Sequence, residues 1–227
     1  MTDLAPPPPP SHAAAAELDP QAAEFAATLA ARLCHDFISP ASAVVSGLDL
    51  LDDPSAQDMR DDAMGLIASS ARKLVAHLAF ARVAFGTSSS AETFDARDLE
   101  GLARGLYAHV RPELEWTVSL DRITKPAARA LLNIAQLGAG ALPTGGLARV
   151  AAYARGPEIL MGVEAAGPRA RLRPEVAAGL DGRALGEGMA GQWVQAMYLH
   201  LTLRAAGGRV EHIVADDKVV IRARMPA

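Results

Sequence analysis

The sequence predicts an α+β protein in which a long helical hairpin is followed by an α/β sandwich of helices on a mixed or antiparallel sheet. Apolar residues recur at three-, four- and seven-residue steps through residues 21–85, as they do in amphipathic helices. Patterns typical of helices and strands then alternate from residue 91 to residue 227. Of the 227 residues 50% are hydrophobic and 21% are charged, a balance typical of chains that fold around a core.

Residues 1–20 precede both parts and contain five consecutive prolines. A proline run favours an extended polyproline conformation without a core. We interpret this segment as a flexible tail rather than as a ligand for a groove-binding module.

Two amphipathic helices account for residues 21–85. The first carries apolar residues from Phe25 to Leu51, the segment 52–55 interrupts the pattern, and a second run extends from Met59 to Phe85. Arms of about 30 residues are about 45 Å long, so a single hairpin cannot shield its apolar stripes from water. We therefore predict a homodimer in which two hairpins form a four-helix bundle.

The second domain is predicted to begin near Ala91, after the polar stretch 86–90. Its predicted helices cover residues 95–109, 127–141 and 189–206, with a short helix after Pro174. The predicted strands cover residues 114–120, 148–154, 158–165, 209–213 and 219–224.

Charge and cysteine content exclude several functional classes. The formal net charge is −4, so the chain lacks the basic surface on which binding to nucleic acids or anionic membranes depends. The single cysteine, Cys34, excludes an internal disulfide and a multi-cysteine metal site. Neither an apolar run of about 18 residues nor a signal peptide is present. We expect a cytoplasmic protein with no nucleic-acid or membrane partner.

The most informative stretch of the hairpin runs from Leu33 to Pro40 and reads LCHDFISP. His35 lies about 200° around the helix from the inward-facing Leu33, so we expect it at the surface. Unprotonated imidazole is a good nucleophile near neutral pH, and the adjacent Asp36 carboxylate can orient the ring and assist proton transfer. Pro40 removes a helix hydrogen bond and predicts a bend one turn beyond the histidine. Such a site could accept a phosphoryl group, whereas a lone surface histidine would be merely solvated.

His-Asp-Phe, with a proline five residues after the histidine and a long helical hairpin around it, resembles the phosphoacceptor box of dimeric sensor histidine kinases. The resemblance implies that His35 is the phosphoacceptor. It also implies that residues 91–227 fold like the ATP-binding domain that follows the hairpin in those kinases.

The nucleotide-binding motifs of that domain are incomplete in this sequence. Asn133 matches the first asparagine of the kinase asparagine box, but Leu137 replaces the second, which holds the metal and phosphates in the family. Ala165 replaces the aspartate that recognises adenine, and Arg169 replaces a glycine of the same box. Residues 186–191 keep a remnant of the second glycine box. The combination is similar to that of bacterial dimeric histidine phosphotransferases of the ChpT type, which pass phosphoryl groups between receiver domains.

This resemblance implies a phosphorelay histidine phosphotransferase of bacterial cell-cycle signalling. The implied partners are the receiver domain of a hybrid histidine kinase as donor and those of response regulators as acceptors. We expect no cofactor and no metal on this chain, because the receiver supplies the Mg²⁺. Two alternatives stay open, an ATP-dependent histidine autokinase with an unusual nucleotide pocket and a scaffold that docks receivers without transfer. The predicted receiver-docking residues around His35 are Arg32, Phe37, Ser39, Pro40, Ala43 and Ser46.

The remaining histidines and the two tryptophans show no ligand pattern. No pair of these histidines has the four-residue spacing typical of metal ligands, so His77, His109, His200 and His212 are predicted to be packing or surface residues. Trp116 and Trp193 are predicted to pack in the core of the second domain.

Overall fold

The computed structural model of the chain describes residues 20–86, 92–186 and 188–227. Residues 1–19 of the predicted tail and residues 87–90 of the predicted boundary stretch lie outside the described residues. Among the helices described, none is both long and apolar enough to cross a membrane.

The predicted helical hairpin is present. Helix α1 spans Pro20–Asp52, a 3-10 turn spans Pro54–Met59, and helix α2 spans Arg60–Ala84. Asp53 ends the first arm, since its carboxylate accepts hydrogen bonds from the amide and hydroxyl of Ser55 at 2.8 and 2.7 Å. The second arm packs closely on the first at Gly47, where an added Cβ would lie 2.6 Å from a side-chain carbon of Ile67. A glycine is therefore required at this crossing.

The second domain is built around a five-stranded mixed sheet. Its elements are β1 Thr93–Asp95, α3 Ala96–Tyr107, β2 Glu113–Val118, β3 Arg122–Thr124, α4 Lys125–Gly140, β4 Leu147–Arg155, β5 Glu158–Ala166, α5 Pro174–Leu180, α6 Ala190–Ala205, β6 Arg209–Ala215 and β7 Lys218–Pro226. The strand order is β2-β4-β5-β7-β6, in which β2 pairs with β4 in parallel and the other neighbouring pairs are antiparallel. Every helix and strand predicted in this domain is present, with ends shifted by a few residues.

A small ladder in this domain was not predicted. Strands β1 and β3 pair as a separate antiparallel two-stranded sheet beside α4. Each has three residues, too few to show an alternating pattern.

The core lies between the sheet and the helices. Helix α4 is buried around nearly its whole circumference, because it packs on β4 and β5 on one side and on the hairpin on the other. At Gly138 an added Cβ would lie 2.6 Å from Val163 of β5, so this helix rests directly on the sheet. Helix α4 therefore lies between the sheet of the second domain and the hairpin.

Aromatic side chains join the hairpin to the second domain. Phe25 of α1 meets Trp193 of α6 edge to face at 6.2 Å between ring centroids, and Phe85 meets Tyr198 at 5.2 Å. Trp116 packs against the core as predicted. The prediction for Trp193 is wrong, because its ring lies between the two parts of the chain and its indole N–H donates to Arg183 O at 2.9 Å.

Candidate functional site

His35 projects from the outer face of α1. Its side chain is 83% exposed, which confirms the surface position predicted from the helical pattern. Nδ1 lies 3.4 Å from Oδ1 of Asp36, and among the described residues Nε2 has no hydrogen-bond partner. One ring nitrogen therefore faces a carboxylate, and the other has no partner among the described residues.

Asp36 contacts different partners through its two carboxylate oxygens. Oδ2 accepts a hydrogen bond from Nε of Arg32 at 2.9 Å, one helical turn earlier, while Oδ1 faces the imidazole of His35. The side chains of Arg32 and Asp36 are only 20% and 21% exposed. This partial burial distinguishes the pair from a surface ion pair, which water and salt weaken.

Arg32 also contacts the second domain. Its Nη1 donates to the backbone carbonyl of Gly191, in the first turn of α6, at 2.7 Å. The helical repeat predicts Arg32 on an exposed docking surface, but its side chain is partly buried against the second domain. Arg32 is covered because α6 packs on the hairpin, and the two bonded residues are 159 positions apart in the sequence.

The other predicted docking residues fall into two groups. Ser39 and Ser46 are exposed and Ala43 is partly exposed, on the side of α1 that carries His35. Pro40 is buried, which corrects its predicted place on the exposed surface around His35, because five residues along an α-helix rotate it by about 140° from His35. Phe37 lines an apolar groove of about 440 Å³ between α1 and α2, together with Leu33, rather than the surface around His35.

Two exposed residues on the His35 side were missed. Ser42 and Ile38 lie within one or two helical turns of His35, and Ile38 is 62% exposed. The helical repeat alone could have identified both.

A cleft of about 670 Å³ opens beside His35, between α1 and the second domain. Arg32 and Asp36 line its hairpin side, and Arg171, Arg173 and Gln195 line the opposite side. Two arginines therefore face the site in addition to Arg32, against one carboxylate. No pattern in the sequence predicts this cleft, because its walls come from four segments that are distant in sequence.

The residues at the kinase nucleotide motifs do not fit Mg-ATP. Leu137 is buried and lines the cleft where a metal-holding asparagine is required, and Ala165 is fully buried. The Asn133 side chain turns towards the hairpin and donates to Ala84 O at 3.2 Å and to Arg129 O at 2.9 Å. Across the described residues, no group of three or more His, Cys, Asp or Glu side chains could hold a metal ion.

Arg169, which stands at a motif glycine of the kinases that the sequence resembles, has a backbone conformation that favours glycine. Its φ of 61° lies in the left-handed region, and its amide donates to Oδ1 of Asp217 at 2.8 Å. This position therefore carries a long side chain in a backbone conformation that few residues other than glycine adopt.

The other histidines occupy structural positions, as predicted. His200 contacts Leu180 O at 2.8 Å, and His212 lies 3.1 Å from a carboxylate oxygen of Asp181. His77 of α2 is partly buried, which lowers its pKa below the ordinary 6.5, although the Asp36 carboxylate acts in the opposite direction. Its Nε2 is buried without a hydrogen-bond partner among the described residues.

Comparison with known proteins gives consistent matches. Residues 96–218 match the family described as the histidine phosphotransferase C-terminal domain. The chain is 34% identical over 200 residues to the protein phosphotransferase ChpT of Brucella abortus (strain 2308), covering 87% of this chain and 94% of that protein. A solved structure of a bacterial phosphotransferase superposes with a TM-score of 0.79 at 31% identity, covering 89% of this chain and 96% of the other.

Proposed function

The chain belongs to the histidine phosphotransferase family and is a phosphorelay histidine phosphotransferase, and we propose that His35 is the residue that carries the phosphoryl group. One observation supports this choice above the others. His35 combines an exposed imidazole, an Nε2 without a partner among the described residues and a carboxylate at Nδ1.

The chemistry follows from the two ring nitrogens. With its proton on Nδ1, the neutral ring donates towards Asp36 Oδ1 and leaves the Nε2 lone pair available. Nε2 forms a bond to phosphorus while the bond from phosphorus to the receiver's aspartate oxygen breaks, and the aspartate leaves as a carboxylate. The phosphorylated ring keeps its Nδ1 proton and a positive charge, which Asp36 stabilises at a contact shortened to about 3 Å. Transfer to the next receiver reverses these steps.

The chain acts as a carrier and not as an ATP-dependent kinase. Leu137 and Ala165 offer no ligand to a metal or a base at the motif positions, and the Asn133 amide is turned towards the hairpin. The receiver supplies the Mg²⁺ that neutralises the moving phosphoryl group, and this chain supplies a positioned imidazole. The donor is the receiver of a hybrid kinase, the acceptors are response regulators, and the site of action is the cytoplasm.

Receivers dock on the exposed side of α1. Ile38, Ser39, Ser42 and Ser46 form this docking face, with Ala43 at its margin. Arg171 and Arg173 across the cleft add positive charge facing a partner that brings a phosphoryl group.

Two copies of the chain associate through their hairpins. Val45 and Leu48 on α1 lie three residues apart and are about half exposed, as are Val75 and Leu78 on α2. A monomer would leave this stripe in water. A four-helix bundle of two hairpins would bury most of it.

A relay reconstituted from purified parts tests the function. Each receiver domain of the source organism is charged with radiolabelled acetyl phosphate, freed of donor and mixed with the chain and a second, unlabelled receiver. We expect label to reach the second receiver only when the chain is present, and His35→Gln to abolish that dependence. Transfer that persists with His35→Gln would instead support a docking scaffold.

A further inference from the structure

Arg32 joins the second domain to the carboxylate beside His35. Its guanidinium contacts Asp36 Oδ2 through Nε at 2.9 Å and Gly191 O through Nη1 at 2.7 Å. We propose that Arg32 is a positioning residue through which the second domain sets the reactivity of His35. The inference rests on the proposed role of His35 as phosphoacceptor.

The first step concerns the orientation of Asp36. Its Oδ1 faces Nδ1 of His35 while Oδ2 is held by Arg32. A carboxylate with one oxygen fixed has fewer rotamers in which the other oxygen turns away from the imidazole. Arg32 therefore keeps Asp36 oriented before a phosphoryl donor arrives, which reduces the entropic cost of transfer.

The second step concerns the orientation of Arg32 itself. A long arginine side chain on a helix surface would sample several rotamers in water. The hydrogen bond to Gly191 O selects one of them, and partial burial protects it. The planar guanidinium can donate to both acceptors at once, whereas a lysine ammonium is a single point of charge.

The third step concerns Gly191. An added Cβ at this position would lie 3.3 Å from Cδ and 3.8 Å from Cβ of Arg32, so a side chain there would displace Arg32 by a few tenths of an ångström. Gly191 is the last glycine of the 186–191 remnant. In this chain Gly191 lies in close contact with Arg32 of the hairpin.

Direct labelling of His35 by a small donor tests the inference without any receiver. Radiolabelled phosphoramidate transfers its phosphoryl group to an imidazole nitrogen as the phosphorus–nitrogen bond breaks and ammonia leaves. For the full chain, Arg32→Ala should lower the labelling rate about tenfold, a loss typical of a disturbed positioning contact. Arg32→Lys should restore only part of the rate. Helix content by circular dichroism checks that each variant folds.

A substitution in the second domain provides an independent test of the inference. Gly191→Ala should lower the rate less than Arg32→Ala does, because Arg32 must move by a few tenths of an ångström. Gly186→Ala is the matched control and should leave the rate unchanged, since an added Cβ there meets nothing within 4 Å. In an Asp36→Ala background neither Arg32→Ala nor Gly191→Ala should cause further loss, because the effect passes through Asp36.

The outcomes separate this inference from the proposed function. An unlabelled wild-type His35 with phosphoramidate and with charged receivers alike would contradict the proposed function. A labelled wild type with an equal rate in Arg32→Ala, or losses that add to that of Asp36→Ala, would contradict the positioning role alone. If Arg32→Ala slows only transfer from receivers by raising the half-saturating receiver concentration, Arg32 is a docking residue and the inference is wrong.

Discussion

At the scale of single residues, the helical repeat predicts correctly that His35 is exposed on α1 but not that Arg32 contacts the second domain. The repeat places His35 on the outer face of α1, and the side chain is indeed exposed. It also places Arg32 at the surface, where the structure instead finds a hydrogen bond to Gly191. Local geometry determines which side of a helix a residue faces, but a contact across 159 residues of sequence depends on how the domains pack. No pattern within the hairpin carries that information.

His77 gives the protein a pH-dependent stability. Burial lowers its pKa in the folded state, so the unfolded chain binds the proton more tightly and acid favours unfolding. The contribution is complete above the ordinary pKa of 6.5 and is lost as the pH falls towards the folded-state value. We expect His77→Gln to flatten the decrease in unfolding free energy between about pH 7 and pH 5.

Urea denaturation of the wild type and of His77→Gln across that pH range measures the effect. His35→Gln, which removes an exposed imidazole from the same hairpin, is the control. A pH dependence of His77→Gln as steep as that of the wild type would show that other groups cause the decrease.

At the scale of secondary-structure elements, pattern length determines what could be predicted. The arms of the hairpin repeat their apolar spacing over several turns, and both helices were found. Strands β1 and β3 are too short for any period. The hydrogen bonds at the end of α2 could not be predicted from a sequence pattern. Asn133 of α4 donates to the carbonyl of Ala84, and Arg129 of α4 donates to the carbonyl of Gly86. Asn133, which stands at the first asparagine of the kinase asparagine box, thus binds a carbonyl at the end of the hairpin.

The exposed stripe on the hairpin predicts the effect of a charge on association. Val75 of α2 is 65% exposed in the single chain and would be buried between two copies. An unpaired carboxylate buried there would cost several kcal/mol, so Val75→Glu should weaken dimerisation by about a hundredfold or more. Sedimentation velocity over a concentration series measures the change.

Ile213→Glu is the matched control for this substitution. Ile213 is similarly exposed but lies on β6, at the edge of the sheet in the second domain. Its replacement should leave the dimer intact. Dissociation by Ile213→Glu and not by Val75→Glu would place the interface on the second domain.

At the scale of the whole molecule, the site is assembled where two parts of the chain meet. The sequence could predict both parts, since each contains its own periodic patterns. It could not predict the cleft, whose lining includes Asp36 from the hairpin and Arg171 and Gln195 from different segments of the second domain. The relative placement of the parts depends on contacts such as that between Phe25 and Trp193, which no local pattern specifies.

The same placement predicts that the second domain does not bind ATP. Leu137 faces the cleft without a metal-binding group, and a buried Ala165 offers no acceptor to a base. Each missing partner costs about 1 to 3 kcal/mol, so binding should be weakened from tens-fold to thousands-fold. Calorimetry with Mg-ATP should show no saturable heat, with an active histidine kinase domain as the positive control. A dissociation constant below about 100 μM would favour the autokinase.

The central claim is that the phosphoryl group resides on His35, and mapping the modified atom tests it most directly. The chain is labelled by a charged receiver, and mass spectrometry of its peptides under neutral conditions locates the phosphate. We predict one acid-labile phosphate on His35, on Nε2 by ³¹P NMR, and none on His35→Gln. Phosphate on any other residue, or undiminished labelling of His35→Gln, would contradict the claim.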